Sequence, residues 1–199
     1  DNVARLITTK LTERTGKTFI IDNRGGAGTN IGNEFAARAP ADGYTLLLGQ
    51  FTMSVNPYLY NNLRYNVDKD FVPVAHIADA PTVLIVPASS AVRDVPGLVA
   101  AARAKPGKLN FGSGGGGTSV HLAAELFKLQ TKTFMVHIPY KGSAPAMTDL
   151  IGGQVDMMFD TATSALPHIK GGKVRAIGVA ASKRLRELPG VPTFAEQGM

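Results

Sequence analysis

The chain has 199 residues, 44% of them hydrophobic and 18% charged, with no cysteine and a formal net charge of +6. No apolar run approaches the ~18 residues that a membrane-spanning helix needs, and the lack of cysteine excludes disulfides, thiolate metal sites and cysteine nucleophiles. The basic balance favours anionic partners in general, but Lys and Arg are scattered along the chain, so no nucleic-acid partner is expected.

The first residues read as a helix, with Val3, Leu6, Ile7 and Leu11 on one face. An α/β protein seldom opens on a helix without a strand beneath it, and the chain closes on Gly198-Met199 after a further helical stretch. A fragment lacking both ends is therefore expected, with any signal sequence outside it. Phe19 to Asp22 reads as a short buried strand, followed by a glycine-rich turn and a helix over about 31–38. Asp42-Gly43 marks a turn before a strand at Tyr44–Leu48. A loop-rich stretch with Pro57 and Pro73 leads to a strand at Val83–Val86. The later units are clearer: strand Leu109–Gly112 with a helix over about 118–131, strand Phe134–Ile138 with a helix from Ser143, strand Val155–Phe159 with a helix over about 164–170, and a last strand at Arg175–Ala180. Gly152-Gly153 and Gly171-Gly172 stop two of these helices. Alternating strands and helices with short connections predict a parallel sheet covered on both faces, in an α/β fold.

Ligands of open α/β sheets bind beyond the carboxyl ends of the strands. Here those ends carry Gly, Ser and Thr, and each opens a helix, where free backbone N–H groups favour anions. The sharpest such loop is Gly112-Ser113-Gly114-Gly115-Gly116-Gly117-Thr118-Ser119. Its glycines allow close backbone approach, and Ser113, Thr118 and Ser119 add hydroxyls. It carries no Gly-Lys-Ser/Thr and no clean dinucleotide signature. The plainer reading is a flexible turn capped by Thr or Ser. Gly25 to Gly32 follows the same logic, with Thr29 or Asn30 as the alternative cap. In Tyr140-Lys141-Gly142-Ser143-Ala144-Pro145, Ser143 is placed as the N-cap, and Pro145 is tolerated in the first turn. Lys141 either attracts an anion or is simply solvated. Asp160 either accepts from a ligand hydroxyl, amine or water, or caps the helix that follows.

The four histidines show no zinc spacing, so no metal is expected. His137 lies mid-strand and reads as structural, whereas His121 lies in the first turn after the glycine loop, to touch a ligand or brace the loop. No nucleophile elbow, carboxylate pair or cofactor fingerprint appears, so binding without catalysis and without a cofactor is expected. The rival reading is an α/β enzyme on an anionic substrate, with His121 or Asp160 as acid–base. A phosphate or sulfate receptor using the same helix starts is a further one.

The string Asn23-Arg24-Gly25-Gly26-Ala27-Gly28-Thr29-Asn30-Ile31-Gly32 resembles the Asn-Arg-Pro-Gly-Ala-Gly-Gly-Asn-Ile-Gly motif of the Bug family, the periplasmic solute receptors of tripartite tricarboxylate transporters. The resemblance continues through Ala41–Leu47, Lys105–Asn110, His121-Leu122-Ala123, Asp149–Asp156 and Leu188–Thr193, and is strongest over His137–Ala146. It implies a type II periplasmic-binding-protein fold with a cleft at the hinge between two lobes. One lobe would hold residues 1–82 and 182–199, incomplete at both ends, and the other 83–181. Strands near Val83–Val86 and Ile177–Ala181 would form the hinge. Gly28 and Thr29 would line the ligand from the first lobe, with Gln50 and Thr52 among the residues of the 50–54 stretch. Ser113, Gly114, Thr118, Ser119, His121, Tyr140, Lys141, Gly142, Ser143, Ala144 and Asp160 would line it from the second. The ligand would be a small organic carboxylate: a di- or tricarboxylate, an acidic amino acid or an aromatic acid. A monomer delivering it to the transporter's membrane subunits is expected, and a receptor serving a sensor kinase is the alternative. Gly25 and Thr29 depart from the motif, the first loosening the loop and the second adding a hydroxyl or narrowing the pocket.

Overall fold

The computed structural model describes residues 2–199, which fall into two compact units, Asp1–Val72 and Pro73–Met199. The first unit is helical. Its elements are α1 (Asn2–Thr15), a single 3-10 turn (Ala27–Thr29) running into α2 (Asn30–Ala37), α3 (Thr52–Leu59) and the one-turn α4 (Val67–Asp70). The strands predicted at 19–22 and 44–48 do not form. A strand needs a partner for its N–H and C=O groups and a surface for its apolar face. Among the described residues neither segment has a paired strand, and Ile20 and Tyr44 are 90% and 93% exposed. The stretch anticipated as loop around Pro57 instead holds α3, with that proline inside the helix.

The second unit carries β1 (Thr82–Pro87), α5 (Val95–Ala104), β2 (Asn110–Ser113), α6 (Ser119–Thr131), β3 (Val136–Pro139), α7 (Ser143–Ile151), β4 (Met157–Thr161), α8 (Ala162–Lys170) and β5 (Val174–Ala180). The strands form one five-stranded sheet in the order β3-β2-β4-β1-β5. The sheet is mixed rather than parallel. β2 runs parallel to β3 and β4, while β1 is antiparallel to both β4 and β5. The alternating strand–helix pattern gives the β2-β3-β4 half correctly. It does not reveal that β1, which enters from a long connection, runs the other way.

β1 is buried on both faces, which is why it reads as an unbroken apolar run. Leu84 and Val86 join one core cluster with Val95, Leu98 and Ala102 of α5 and Val120, Ala124 and Phe127 of α6. Val83 and Ile85 point to the other, with Ala146, Met147 and Leu150 of α7 and Ala162 and Ala165 of α8. The period of two thus distributes one strand between two helical layers. Each such side chain, fully buried, contributes on the order of 1.5–3 kcal/mol.

Residues 182–199 pack on this second unit. Leu188 joins the α7–α8 cluster, Phe194 stacks on Phe159, and Thr193 bridges to Val179. Gln197 accepts from Val95 N–H and donates to the Ile177 carbonyl, tying the tail to α5 and β5. The expected closing helix is a single 3-10 turn at Ala195–Gln197.

Local caps set the helix starts. Asp94 accepts from Gly97 N–H at 2.7 Å and begins α5, with Pro96 in the first turn where no N–H is needed. Asp94→Ala is expected to lower unfolding free energy by about 1 kcal/mol. Urea titration checks this, and an unshifted midpoint would show the cap to be idle.

Candidate functional site

In the second unit the glycine loop lies between β2 and α6. Gly115 and Gly117 hold φ of 128° and 77°, a region that side-chain-bearing residues rarely adopt. Ser113 is fully buried, and its hydroxyl accepts from Gly115 N–H at 3.1 Å. Thr118 is the N-cap of α6: its hydroxyl accepts from His121 N–H and donates to the Gly115 carbonyl at 2.8 Å. Both hydroxyls anticipated as ligand donors are thus engaged within the loop. Ser119 is exposed at the first helical position.

This loop abuts the start of α7. Gly142 N–H donates to the Gly114 carbonyl at 3.1 Å, and a Cβ on Gly114 would stand 3.3 Å from Ser143 N. Absence of a side chain at Gly114 is what lets the two helix starts meet. Ser143 is not the N-cap anticipated for it. It is the first residue of α7, and Gly142, at φ 113°, takes the cap position without a side-chain hydrogen bond. The backbone enters that helix extended through a glycine, leaving no side chain to fold over the first turn. Lys141 and Ala144 are exposed beside it. The Tyr140 hydroxyl turns into the unit and donates to Asp149 Oδ2 at 2.6 Å. That bond, with burial, pushes its pKa up to about 12.

Asp160 ends β4 and is 1% exposed. It is not the N-cap of α8: Thr161 holds that place, without a side-chain bond. Asp160 Oδ1 accepts from Thr161 N–H at 2.8 Å, while Oδ2 is buried with no partner in hydrogen-bonding geometry. Burial raises the carboxyl's pKa, and the nearby hydroxyls of Ser164 and Ser143 and the backbone bond from Thr161 oppose the rise. The hydroxyls sit close enough to temper the charge without saturating that second oxygen.

His121 and His137 stack, ring centroids 4.1 Å apart, and Phe111 lies near-parallel to both, 4.8 Å from His137 and 6.3 Å from His121. His137 Nε2 is 2.6 Å from Ser113 Oγ, and His121 Nδ1 accepts from Gly117 N–H at 3.1 Å. Both rings brace the loop. His137 does so although the sequence marked it only as structural.

In the first unit, Ala27, Gly28 and Thr29 are all left-handed, at φ 48°, 61° and 76°. A β-branched residue there stores strain on the order of 1–3 kcal/mol, so Thr29 is held at φ 76° against its own preference. A buried polar network holds the turn. Thr29 Oγ1 meets Thr52 Oγ1 at 2.6 Å, Asn56 donates to the Gly28 carbonyl and to Asn30 Oδ1, and Tyr65 donates to the same Asn30 oxygen. Asn33 donates to Tyr65. Asn56 Oδ1, fully buried, has no partner. Gln50 is exposed before α3. Asn33, Asn56 and Tyr65 escaped the sequence reading, which placed Asn30 only as a possible cap; Thr29 holds that position, without a side-chain bond. The available signal was Asn30 and Asn33 three apart, about one helical turn, so that both lie on one face of the helix. Among the described residues no cluster of three or more His, Asp or Glu is arranged to hold a metal ion.

Two helix starts that meet through Gly114 and a buried carboxyl with an unpartnered oxygen make an arrangement suited to holding an anionic solute. A family model described as "Tripartite tricarboxylate transporter family receptor" matches residues 3–199. A Pseudomonas sp. (strain P51) protein, the "UPF0065 protein in tcbD-tcbE intergenic region", is 45% identical over 98% of this chain and 58% of its own length. Among solved structures, "R. palustris Rpa4515 with adipate" superposes with TM-score 0.96 at 39% identity, covering 100% of this chain and 67% of that one. The "periplasmic binding protein BugD" gives 0.95 at 36%, covering 100% and 66%. "MatC (Rpa3494) from Rhodopseudomonas palustris with bound malate" gives 0.91 at 33%, covering 100% and 68%. The chain therefore belongs to the tripartite tricarboxylate transporter receptor family, whose members are solute receptors and not enzymes. It spans about three fifths of the length of the curated relatives it matches.

Proposed function

We propose that this chain is the ligand-capturing part of a periplasmic receptor for a small dicarboxylate or tricarboxylate, acting as a monomer and delivering its ligand to the membrane subunits of a tripartite transporter. The observation that carries the reading is the contact of two helix starts through Gly114, with the first turn of α7 free of a side-chain cap. Such a pair presents backbone N–H groups and the positive ends of two helix dipoles to one carboxylate. Asp160 Oδ2 adds an adjacent group for a hydroxyl, a water or a protonated acid. Adipate in one relative and malate in another support the class of ligand. In this reading Ser119, Lys141, Gly142, Ser143, Ala144 and Asp160 face the ligand, while Ser113, Thr118, His121 and Tyr140 shape the loops around it. Gly28, Thr29, Gln50 and Thr52 are retained as candidate ligand groups of the first unit. The division into lobes is retained as part of this reading, with residues 182–199 grouped by their packing with the second unit.

Thermal unfolding of the full-length receptor with a panel of mono-, di- and tricarboxylates, acidic amino acids and aromatic acids tests this. A ligand at a hundredfold excess over its Kd adds about 2.7 kcal/mol. Stabilisation by adipate or malate and not by phosphate or sulfate is the expected result. Stabilisation by the inorganic anions alone would overturn it, as would no response to any acid.

A further inference from the structure

We propose that His121, braced by His137, is a positioning residue that holds the glycine loop in its anion-accepting shape only while its imidazole is neutral, making ligand capture sensitive to protons. The proposal rests on the reading of this loop as the anion site.

The geometry requires an unprotonated nitrogen. Gly117 N–H is a donor, and the atom receiving it is His121 Nδ1 at 3.1 Å. A neutral ring that accepts at Nδ1 carries its proton on Nε2, which lies 3.7 Å from Glu125 Oε1. A proton added to His121 enters at Nδ1 and sets two donors against each other. Gly117 must then turn its N–H away, and the loop turns with it. His137 closes the other side. Its Nε2 bonds the buried Ser113 hydroxyl, which in turn accepts from Gly115 N–H. A cation on either ring would face the second ring across a 4.1 Å stack.

The charged groups around the pair all come from α6. Glu125 favours protonation and Lys128 opposes it. Lys128 Nζ sits 2.7 Å from Glu125 and 5.2 Å from the centroid of the Phe111 ring, which cancels much of the carboxylate's pull. β2 brings only Phe111 and Ser113 to the stack, neither of them charged, and β3 is the outer strand of the sheet. Burial, the largest influence on both rings, lowers the pKa of His121 and takes that of His137 to about 4. The pair is thus kept neutral where an exposed histidine would be charging.

The test follows the loop without depending on a ligand. Nitrogen–proton NMR of the full-length receptor is recorded from pH 7.5 to 4, tracking the Gly115 and Gly117 amides with the two imidazoles. The expected result is that the Gly117 amide moves with the same midpoint as His121, and that this response is flattened in His121→Asn, whose side-chain oxygen accepts from Gly117 at any pH. A Gly117 amide that ignores the titration of His121, or that responds equally in the variant, would overturn the proposal. A second arm measures adipate affinity in both proteins at each pH, so that protonation of the probe cancels. Wild-type affinity should fall about tenfold more per pH unit than that of His121→Asn once His121 titrates. Parallel slopes in the two proteins overturn the link to capture. Failure of adipate to bind either protein, with the loop response intact, would count against the function proposed above and leave the positioning role standing.

Discussion

Gly115→Val should weaken carboxylate binding at least ~100-fold, a loss of about 2.7 kcal/mol or more, while the protein stays folded. Gly115 sits at φ 128°, where a β-branched residue is strongly disfavoured, and its Cβ would point at the Tyr140 carbonyl 3.4 Å away. The space is adequate and the backbone angle is not, so the loop, rather than the core, must yield. When it yields, the bonds that Gly115 makes with Ser113 and Thr118 break, and the amide array is lost. Calorimetric titration with adipate measures the loss, and circular dichroism checks the fold. Gly116→Ala is the control, since no atom lies within 4 Å of its Cβ and its φ is not in the left-handed region. Undiminished affinity in Gly115→Val would remove this loop from the site.

Asp160→Asn should raise the melting temperature of the ligand-free protein at neutral pH. The sign follows from the raised pKa. Below the unfolded value of 3.8 both states hold the proton and the group contributes nothing. Above it the unfolded chain releases its proton while the folded one keeps it, so stability falls as pH rises until the folded carboxyl also ionises. At neutral pH the fold carries the full penalty of a buried, half-partnered charge, about 1–3 kcal/mol. The neutral amide removes most of it, for a gain of roughly 3–8 °C. The gain should shrink as the pH falls from 7 toward 4 and be lost below the unfolded value of 3.8, where both states hold the proton. Scanning calorimetry at the two pH values decides it. A variant less stable than wild type at pH 7 would show that the hydroxyls of Ser164 and Ser143 satisfy the carboxylate and would overturn the expectation. The same substitution should weaken ligand binding, because a group held at a cost to stability in the empty protein has its return when the site fills.

Much of the second unit is written in local signals. α7 begins at Ser143 and ends at Ile151 as the apolar spacing and the glycine pair require, with Gly153 at φ 74°. β1 was legible because its apolar run has no turn residue inside it. Its direction was not, because antiparallel pairing to β4 and β5 depends on residues roughly 75 and 95 positions away. α5 was missed because Pro96-Gly97 reads as a turn, yet Asp94 caps it and the proline needs no N–H there. The first unit is less legible for a different reason. Residues 19–22 and 44–48 have the composition of strands, but composition supplies one side of a pairing only.

In the loops that the sequence singles out, it misjudges which atoms are free. Ser113, Thr118 and Tyr140 all carry hydroxyls of the correct kind, and each is spent inside the unit, on Gly115, on Gly115 and His121, and on Asp149. Spacing cannot say whether a hydroxyl turns inward. The two readings left open for Asp160 are resolved against capping, since Thr161 holds the cap position and Asp160 keeps a buried oxygen unpartnered.

The position of β1 also sets a timetable for biosynthesis. Leu84 pairs with Phe159 on one side and Gly178 on the other, which leave the ribosome roughly 75 and 95 residues later. At about 5–20 residues per second, the most apolar strand of the sheet waits some 4–20 s for its neighbours. During that interval Thr82–Val86, with four β-branched residues of five and no charge, is an unpaired run ahead of Pro87, and its open N–H and C=O groups can pair with other chains. The fold therefore closes late and nearly all at once. A nascent chain of this protein should depend on holding factors until residues 174–180 have emerged, and truncations before that point should aggregate rather than form a smaller sheet.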